Sequence, residues 1–184
     1  MVHIGCGLDS RFERVDNGQV EWYDLDLPDV IEIRRKLVGG EGARHHFLPC
    51  SVLDGAWLEA VETHRGRPFL FLAEGVFMYL QEAQVKSLLL TLRDHFPGAE
   101  LVFDCYSPTH VWVNNFQVTT LGHVAGTQWG IWHGQKLEGW GDGIRLLDEQ
   151  FPFQFPEVDQ RRALRVRLFS PLVARGIGVF RYQL

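Results

Sequence analysis

A short apolar segment that runs directly into a glycine turn places the strongest constraint on how this chain can fold. Val2–Ile4 has the composition of a buried strand, and Gly5-Cys6-Gly7 follow it at once. The next apolar segment ends at Asp26, close to the roughly 20-residue spacing that sets a carboxylate beside a ribose in βαβ nucleotide sites. Glycines let the backbone approach a ligand, and a carboxylate accepts hydrogen bonds from ribose hydroxyls. The pattern predicts a nucleotide-cofactor site, with a plain tight turn as the alternative.

Length, composition and charge favour one globular domain over residues 1–184. The chain has 184 residues, of which 46% are hydrophobic, so it can bury a full core. Its formal net charge of −5 and the absence of lysine or arginine runs argue against a nucleic-acid or acidic-membrane partner. No apolar run approaches the roughly 20 residues of a membrane span, and no signal-peptide pattern opens the chain. One basic cluster, expected to be a solvated helix face, comprises Arg161, Arg162, Arg165 and Arg167.

The cysteines indicate a reducing compartment. Cys6, Cys50 and Cys105 lie in apolar segments without the C-x-x-C spacing of metal or redox sites. We therefore expect buried free thiols, no metal site and a cytoplasmic protein.

Alternating apolar and helical patterns predict a doubly wound α/β fold. Phe69–Ala73 is continuously apolar, as expected for a strand covered on both faces. Residues 108–143 are rich in aromatics and glycine, and we expect them to form an irregular lid over a substrate pocket. Strands are predicted over 2–4, 20–25, 44–48, 69–73, 101–104, 144–153 and 179–184, and helices over 28–37, 56–64, 81–96 and 158–172.

The glycine turn does not suit a dinucleotide. A dinucleotide enzyme needs a third glycine in G-x-G-x-x-G, and that position is Ser10. A methyltransferase cofactor has no pyrophosphate and tolerates this change, so a nicotinamide-dependent oxidoreductase is disfavoured. Glu74-Gly75 follows the fourth strand, where doubly wound sheets bind ligands.

Four segments of the chain together carry a family resemblance: Gly5–Arg11 (GCGLDSR), Asp24–Pro28 (DLDLP), Ala73–Leu80 (AEGVFMYL) and Trp140–Ile144 (WGDGI). They resemble the leucine carboxyl methyltransferase family, which includes the tetracenomycin-type polyketide O-methyltransferases. The resemblance implies a class I S-adenosylmethionine-dependent, Rossmann-like fold. Its sheet would have seven mainly parallel strands with helices on both faces, and the last strand would run antiparallel beside the fifth.

The resemblance also implies how S-adenosyl-L-methionine would be held. Family members commonly carry Asp where this chain has Ser51, so Asp54 either substitutes for it or caps the next helix. The implied contacts are Gly5, Cys6 and Gly7 for the methionine and ribose, Asp26 and Leu27 for the ribose, Ser51 and Val52 for the adenine, and Glu74 for the amino-acid end.

Relatives in the family carry an upstream helical segment that supplies cations to the cofactor carboxylate and covers the pocket. This sequence lacks that segment, and Arg11 is the nearest cation, with a structural role at the turn as its alternative. We expect a fragment, a pocket completed by a partner or a second copy, or weak cofactor binding.

The implied activity is O-methylation of a carboxylate, or of a hydroxyl, on a small molecule such as a polyketide-like compound or on a terminal carboxylate. An ionised carboxylate needs no general base, whereas a hydroxyl does. Tyr79 and Tyr106 are candidates for substrate contact or for aromatic packing. The alternative function is a binding or remnant domain without turnover. Candidate bases for a hydroxyl are His110, His123 and His133, whereas a core or edge role is expected for His45 and His46.

Overall fold

A computed structural model describes residues 1–64, 66–121, 126–152 and 175–184. Within these ranges the chain forms a seven-stranded sheet in the order β3-β2-β1-β4-β5-β7-β6. The strands are β1 Val2–Ile4, β2 Trp22–Asp26, β3 His45–Pro49, β4 Leu70–Ala73, β5 Glu100–Tyr106, β6 Arg145–Gln150 and β7 Ile177–Gln183. The helices are α1 Arg11–Val15, α2 Pro28–Leu37, α3 Ala56–Glu62, α4 Glu82–His95, α5 Pro108–Leu121 and α6 Gln135–Glu138, with a 3₁₀ turn over Phe77–Tyr79.

The sheet topology confirms the predicted fold class. β1 lies between β2 and β4 in the sheet. The five neighbouring strands β3, β2, β1, β4 and β5 run parallel to one another. β7 pairs antiparallel with β5, with Phe103 opposite Phe180, and β6 pairs antiparallel with β7. The last strand therefore lies antiparallel beside the fifth, as predicted.

Local sequence signals explain the helices on either side of the sheet. α2 begins with proline in its first turn and is followed by Gly39, whose φ of 69° is left-handed. α4 begins with a capping box between Gln81 and Gln84. The buried face of α4 then repeats at helical spacing, with Val85, Leu88, Leu89 and Leu92 packed into the core.

The prediction that the whole of 108–143 is irregular was wrong. Residues 108–121 form α5, and 135–138 form α6. The start of α5 carries helix signals, because Pro108 lies in the first turn and the Oγ of Ser107 accepts the backbone N–H of His110. Several element ends also differ from the predictions: β5 continues to Tyr106 and α3 ends at Glu62. The predicted helix over 158–172, its arginine cluster and His123 lie outside the described residues.

The three cysteines are free thiols. Cys6 and Cys105 are buried as predicted, whereas Cys50 is partly exposed. Burial raises the pKa of the Cys6 and Cys105 thiols to about 12, so both are unreactive near neutral pH. Across the described ranges, no helix has the length and apolarity to span a membrane.

We expect Leu89→Ala to lower the free energy of unfolding by about 2 to 5 kcal/mol, because it empties space in a fully buried helix face. Urea denaturation of the purified protein measures this loss. Lys86→Ala, on the exposed side of the same helix, is the control and should stay within about 0.5 kcal/mol. Equal losses in the two variants would contradict the assignment of the core face of α4.

Candidate functional site

A cleft of about 300 Å³ opens where β1, β2 and β4 end. This position is the crevice at the carboxyl ends of parallel strands, where open α/β sheets bind ligands. The cleft is lined by cofactor or substrate residues that the sequence predicted and by Gly75 of the predicted Glu74-Gly75 turn, whereas Cys6, Gly7 and Glu74 are not among its lining residues. The predicted lining residues are Gly5, Asp26, Leu27, Ser51, Val52 and Tyr79, and Cys50 and Val76 line the cleft without having been predicted for the site.

The glycine turn after β1 needs glycine for two separate reasons. Gly5 and Gly7 have φ values of 67° and 51°, in the left-handed region that disfavours other residues. A Cβ on Gly5 would also lie 2.3 Å from Cγ2 of Val76, in the loop after β4. The Gly5 N–H donates to the Leu25 carbonyl at 2.7 Å, so the turn is packed against two neighbouring strands.

Asp26 joins this turn to the end of β2. Its carboxylate accepts the N–H of Gly7 at 2.8 Å on one oxygen and that of Leu27 at 2.7 Å on the other. An ionised carboxylate has about four acceptor positions, so two stay available for hydroxyl donors in the cleft. Asp26 therefore has a second role, as a tether of the turn, which the sequence did not predict.

A buried polar network beneath the turn was not predicted. Asp24 and Arg34 are both fully buried, and Nη2 of Arg34 lies 2.6 Å from Oδ2 of Asp24. Arg34 Nη1 donates to the carbonyls of Gly7 at 3.1 Å and Asp9 at 2.6 Å. One signal could have indicated the network, because a carboxylate inside a buried strand requires partners.

Two histidines and a tryptophan complete the partners of Asp24. His45 Nε2 lies 2.6 Å from Asp24 Oδ2, His3 Nδ1 lies 3.4 Å from Oδ1, and the Trp22 indole donates to Oδ1 at 2.8 Å. Burial opposes ionisation of Asp24, but hydrogen bonds from His3, Trp22 and His45, with the Arg34 charge, outweigh it and hold its pKa below the usual value. The predicted core role of His45 is confirmed. His46 lies on the opposite face of β3, against Glu21.

The loop after β3 excludes the alternative in which Asp54 caps the next helix, α3. Asp54 Oδ2 accepts the N–H of Ser51 at 3.3 Å, and the Ser51 Oγ accepts the N–H of Leu53. α3 begins after Gly55 without a side-chain cap, so Asp54 does not cap it. The Asp54 carboxylate instead lies beside the cleft residue Ser51.

Three charged side chains meet between the glycine turn and the end of β4. Arg11 Nη2 lies 2.7 Å from Oε2 of Glu74 and 3.0 Å from Oδ2 of Asp9. The Glu74 side chain is 63% exposed and that of Arg11 is 25% exposed, so both can reach a ligand. A cation and two carboxylates in contact can bind the carboxylate and the ammonium of an amino acid.

Asp104, two residues before the end of β5, supports the cleft residue Gly75, a role that the sequence missed. Its Oδ1 accepts the N–H of Gly75 at 2.7 Å, which ties the loop after β4 to β5. Burial, with the nearby Glu74, raises the pKa of Asp104 above its usual value. The available signal was an aspartate at the end of the predicted strand over 101–104, which indicates a position near the strand ends but not the Gly75 partner.

Of the two predicted tyrosines, Tyr79 lines the cleft, whereas Tyr106 is not among its lining residues and packs against a histidine. Tyr79 is 43% exposed and lines the cleft, and the ring of Tyr106 lies 4.5 Å from that of His110. Burial, together with Tyr79 and neighbouring acids, raises the pKa of Tyr106. Burial lowers the pKa of His110, so its ring is neutral at neutral pH. His133 lies elsewhere, 4.0 Å from Glu149 of β6.

Residues 1–93 match the model of a protein family described as leucine carboxyl methyltransferase. The tetracenomycin polyketide synthesis O-methyltransferase TcmP of Streptomyces glaucescens is 35% identical over 150 residues, which cover 81% of this chain and 54% of that protein. The S-adenosyl-L-methionine-dependent methyltransferase dpfgK of Gibberella zeae is 29% identical over 163 residues, with coverage of 82% and 54%. The chain therefore spans about half the length of the curated relatives it matches.

A solved structure shows the same fold at low sequence identity. The S-adenosylmethionine-dependent methyltransferase from Mesorhizobium loti aligns with a TM-score of 0.66, over 100% of this chain and 89% of that chain, at 13% identity. This likeness supports the class I methyltransferase fold that the sequence predicted.

Gly5→Ala and Gly7→Ala form a matched pair that separates backbone strain from packing. Both changes force alanine into a left-handed conformation, at about 1 to 2 kcal/mol. Only Gly5→Ala adds a clash, with Val76, because no atom of the described residues outside the turn itself lies within 4 Å of a Cβ on Gly7. Urea denaturation should show the larger loss of stability for Gly5→Ala, and a double variant with Val76→Ala should recover part of the difference. Equal losses would contradict the close packing of Gly5 on Val76.

Proposed function

Because this chain belongs to the leucine carboxyl methyltransferase family, we propose that it binds S-adenosyl-L-methionine in the cleft and acts in methyl transfer to an oxygen of a small molecule. The observation that carries the proposal is the glycine turn tethered to Asp26 at the crevice of a doubly wound sheet. The cleft volume of about 300 Å³ lies at the lower end of the range for small-molecule sites.

The residues in the cleft fit the parts of this cofactor. Asp26 has two acceptor positions for the ribose hydroxyls, and Gly5, which has no side chain, lines the cleft near it. Ser51 and Val52 line the same cleft, where an adenine would contact them. Glu74 and Arg11 suit the ammonium and carboxylate of the amino-acid end.

The protein's chemical contribution is positioning. The bound cofactor supplies an electrophilic methyl group, and the acceptor oxygen must be held in line with it. The side chains therefore act by orienting the two reactants and by excluding water. Tyr79 and Tyr106 are the proposed acceptor contacts, because Tyr79 lines the cleft and Tyr106 ends the adjoining strand β5.

The segment over 108–143 is proposed to cover the acceptor. α5 follows directly from the end of β5, next to Tyr106. Trp112 and Phe116 on α5 are 70% and 63% exposed, and their rings stack with centroids 6.0 Å apart. Exposed aromatic rings are suited to contact an apolar, ring-containing acceptor.

A carboxylate is the first candidate acceptor and a hydroxyl is the second. The carboxylate follows from the family description and needs no base at neutral pH. The hydroxyl is favoured by one observation, the half-buried His110 with its lowered pKa beside Tyr106, since a neutral imidazole can accept a proton.

Asp26→Ala should weaken binding of S-adenosylmethionine at least tenfold in calorimetric titration. It removes acceptors for two hydroxyl donors, and hydrogen bonds to a charged group contribute about 1.5 to 3 kcal/mol each. Asp29→Ala removes the same charge at an exposed position of α2 and should leave affinity within about threefold. A folded Asp26→Ala protein that binds as tightly as the wild type would refute the cofactor assignment.

Turnover distinguishes the acceptors and the alternative of a binding domain without catalysis. With benzoate-type acids as acceptors, formation of S-adenosylhomocysteine should be nearly constant between about pH 6 and 8, and His110→Gln should not change it. With phenols, the rate should rise with pH below about 6.5, where His110 loses its proton because its pKa is lowered, and the contribution of this base should be complete near neutral pH. His110→Gln should lower that rate about 100-fold. Tight cofactor binding without turnover of either class would support the binding domain.

A further inference from the structure

The side chain of Arg34 contacts the glycine turn from the buried side. Arg34 lies on α2, the helix that follows Asp26, and its side chain is 1% exposed. Nη1 donates to two carbonyls of the turn, those of Gly7 and Asp9, and Nη2 pairs with Asp24. The guanidinium also lies over the Phe47 ring, with Cζ 5.2 Å from its centroid.

Both ends of the Gly7 residue are therefore fixed, each by a different charged group. Its N–H donates to Asp26 in the cleft, and its carbonyl accepts from Arg34 on the buried side. Gly7 has no side chain to restrain its backbone, and its φ of 51° is one of several values open to glycine. The two hydrogen bonds select one conformation of a residue that is otherwise free to adopt others.

Stability alone does not account for a buried arginine at this position. A buried ion pair is often less stabilising than apolar side chains of similar volume, because both charges lose their hydration. Arg34 Nε is buried and has no hydrogen-bond partner among the described residues, which is a further cost to stability. Arg34 thus leaves Nε without a partner among the described residues, while Nη1 donates to the turn carbonyls and Nη2 pairs with Asp24.

We propose that Arg34 is a positioning residue that fixes the glycine turn in its binding conformation and thereby sets the affinity for the adenosyl cofactor. Arg34 does not line the cleft, so it acts through Gly7 and Asp9. Asp24 neutralises the guanidinium and holds it in place. The inference rests on the proposed function, because the affinity concerned is that for S-adenosylmethionine and its product.

The test uses two variants of the network and one control in the core. Arg34→Lys keeps the charge but cannot donate to two carbonyls and a carboxylate with the same planar geometry. Asp24→Asn with Arg34→Met removes both charges together, so that neither is left buried alone. Leu92→Ala empties space in the buried face of α4 and lowers stability without touching the turn.

Three quantities are measured for each protein: the free energy of unfolding in urea, the dissociation constant for S-adenosylhomocysteine by calorimetry, and the exchange rates of the Gly7 and Asp9 amides without ligand. We expect Arg34→Lys to weaken binding about tenfold and to speed exchange of both amides. The double variant should bind at least as weakly, even where its stability equals or exceeds that of Arg34→Lys. Leu92→Ala should bind within about threefold of the wild type despite its loss of stability.

The outcomes separate this inference from the proposed function. If the wild type fails to bind S-adenosylhomocysteine, the proposed function is wrong and the inference is overturned with it. If the wild type binds and Arg34→Lys binds equally well, only the inference is overturned. Affinities that follow stability across all the variants, Leu92→Ala included, would show that Arg34 is merely structural and would also overturn it.

Discussion

The hydrogen bond from the Gly7 N–H to the Asp26 carboxylate joins the first turn of the chain to the end of the second strand, and the geometry of the cleft depends on it. If it were lost, Gly7 would keep its carbonyl contact with Arg34 but would lose its only contact with Asp26 among the described residues, so the turn and the Asp26 carboxylate would no longer be positioned by each other. The bond forms because β1 and β2 are parallel neighbours, with Ile4 opposite Leu25. The carboxyl ends of the two strands are thus brought to the same edge of the sheet.

Asp24 and Asp26 lie two residues apart on β2 and therefore project to the same face of the strand. Asp24 and Asp26 differ in burial and in role. Asp24 is fully buried, and the Arg34 guanidinium balances its charge. His3, His45 and Trp22 surround the carboxylate, so these contacts are all with buried groups of the protein. Asp26 borders the cleft and keeps acceptor positions for a ligand. One strand thus supplies both the buried carboxylate that pairs with Arg34 and the carboxylate that lines the cleft.

The sequence predicted the parts of the site that local pattern determines. Gly5, Asp26 and Val52 follow strands at characteristic positions, and parallel strands bring such positions to one edge. Arg34 could not be predicted, because α2 carries Arg34, Arg35 and Lys36 in succession and only tertiary packing buries the first. The sequence did not predict α5. A surface helix is recognised by a polar face opposite an apolar one, and α5 carries Trp112, Val113 and Phe116 at exposed positions, so that pattern is missing. Nor does sequence spacing indicate that Asp104 holds Gly75.

The two cationic contacts around the turn have opposite energetic character, and this difference suits their roles. The Arg11–Glu74 pair is partly exposed, and such pairs contribute about 0 to 1 kcal/mol because water competes for both charges. A zwitterionic ligand can therefore separate or extend that pair at little cost while it gains two charged contacts. Arg34 is buried, and breaking its contacts would leave the Asp24 charge without compensation, which is strongly unfavourable. The turn is thus held by a permanent contact on its buried side and bordered by an exchangeable one on its open side, the combination that a preformed site for a charged ligand requires.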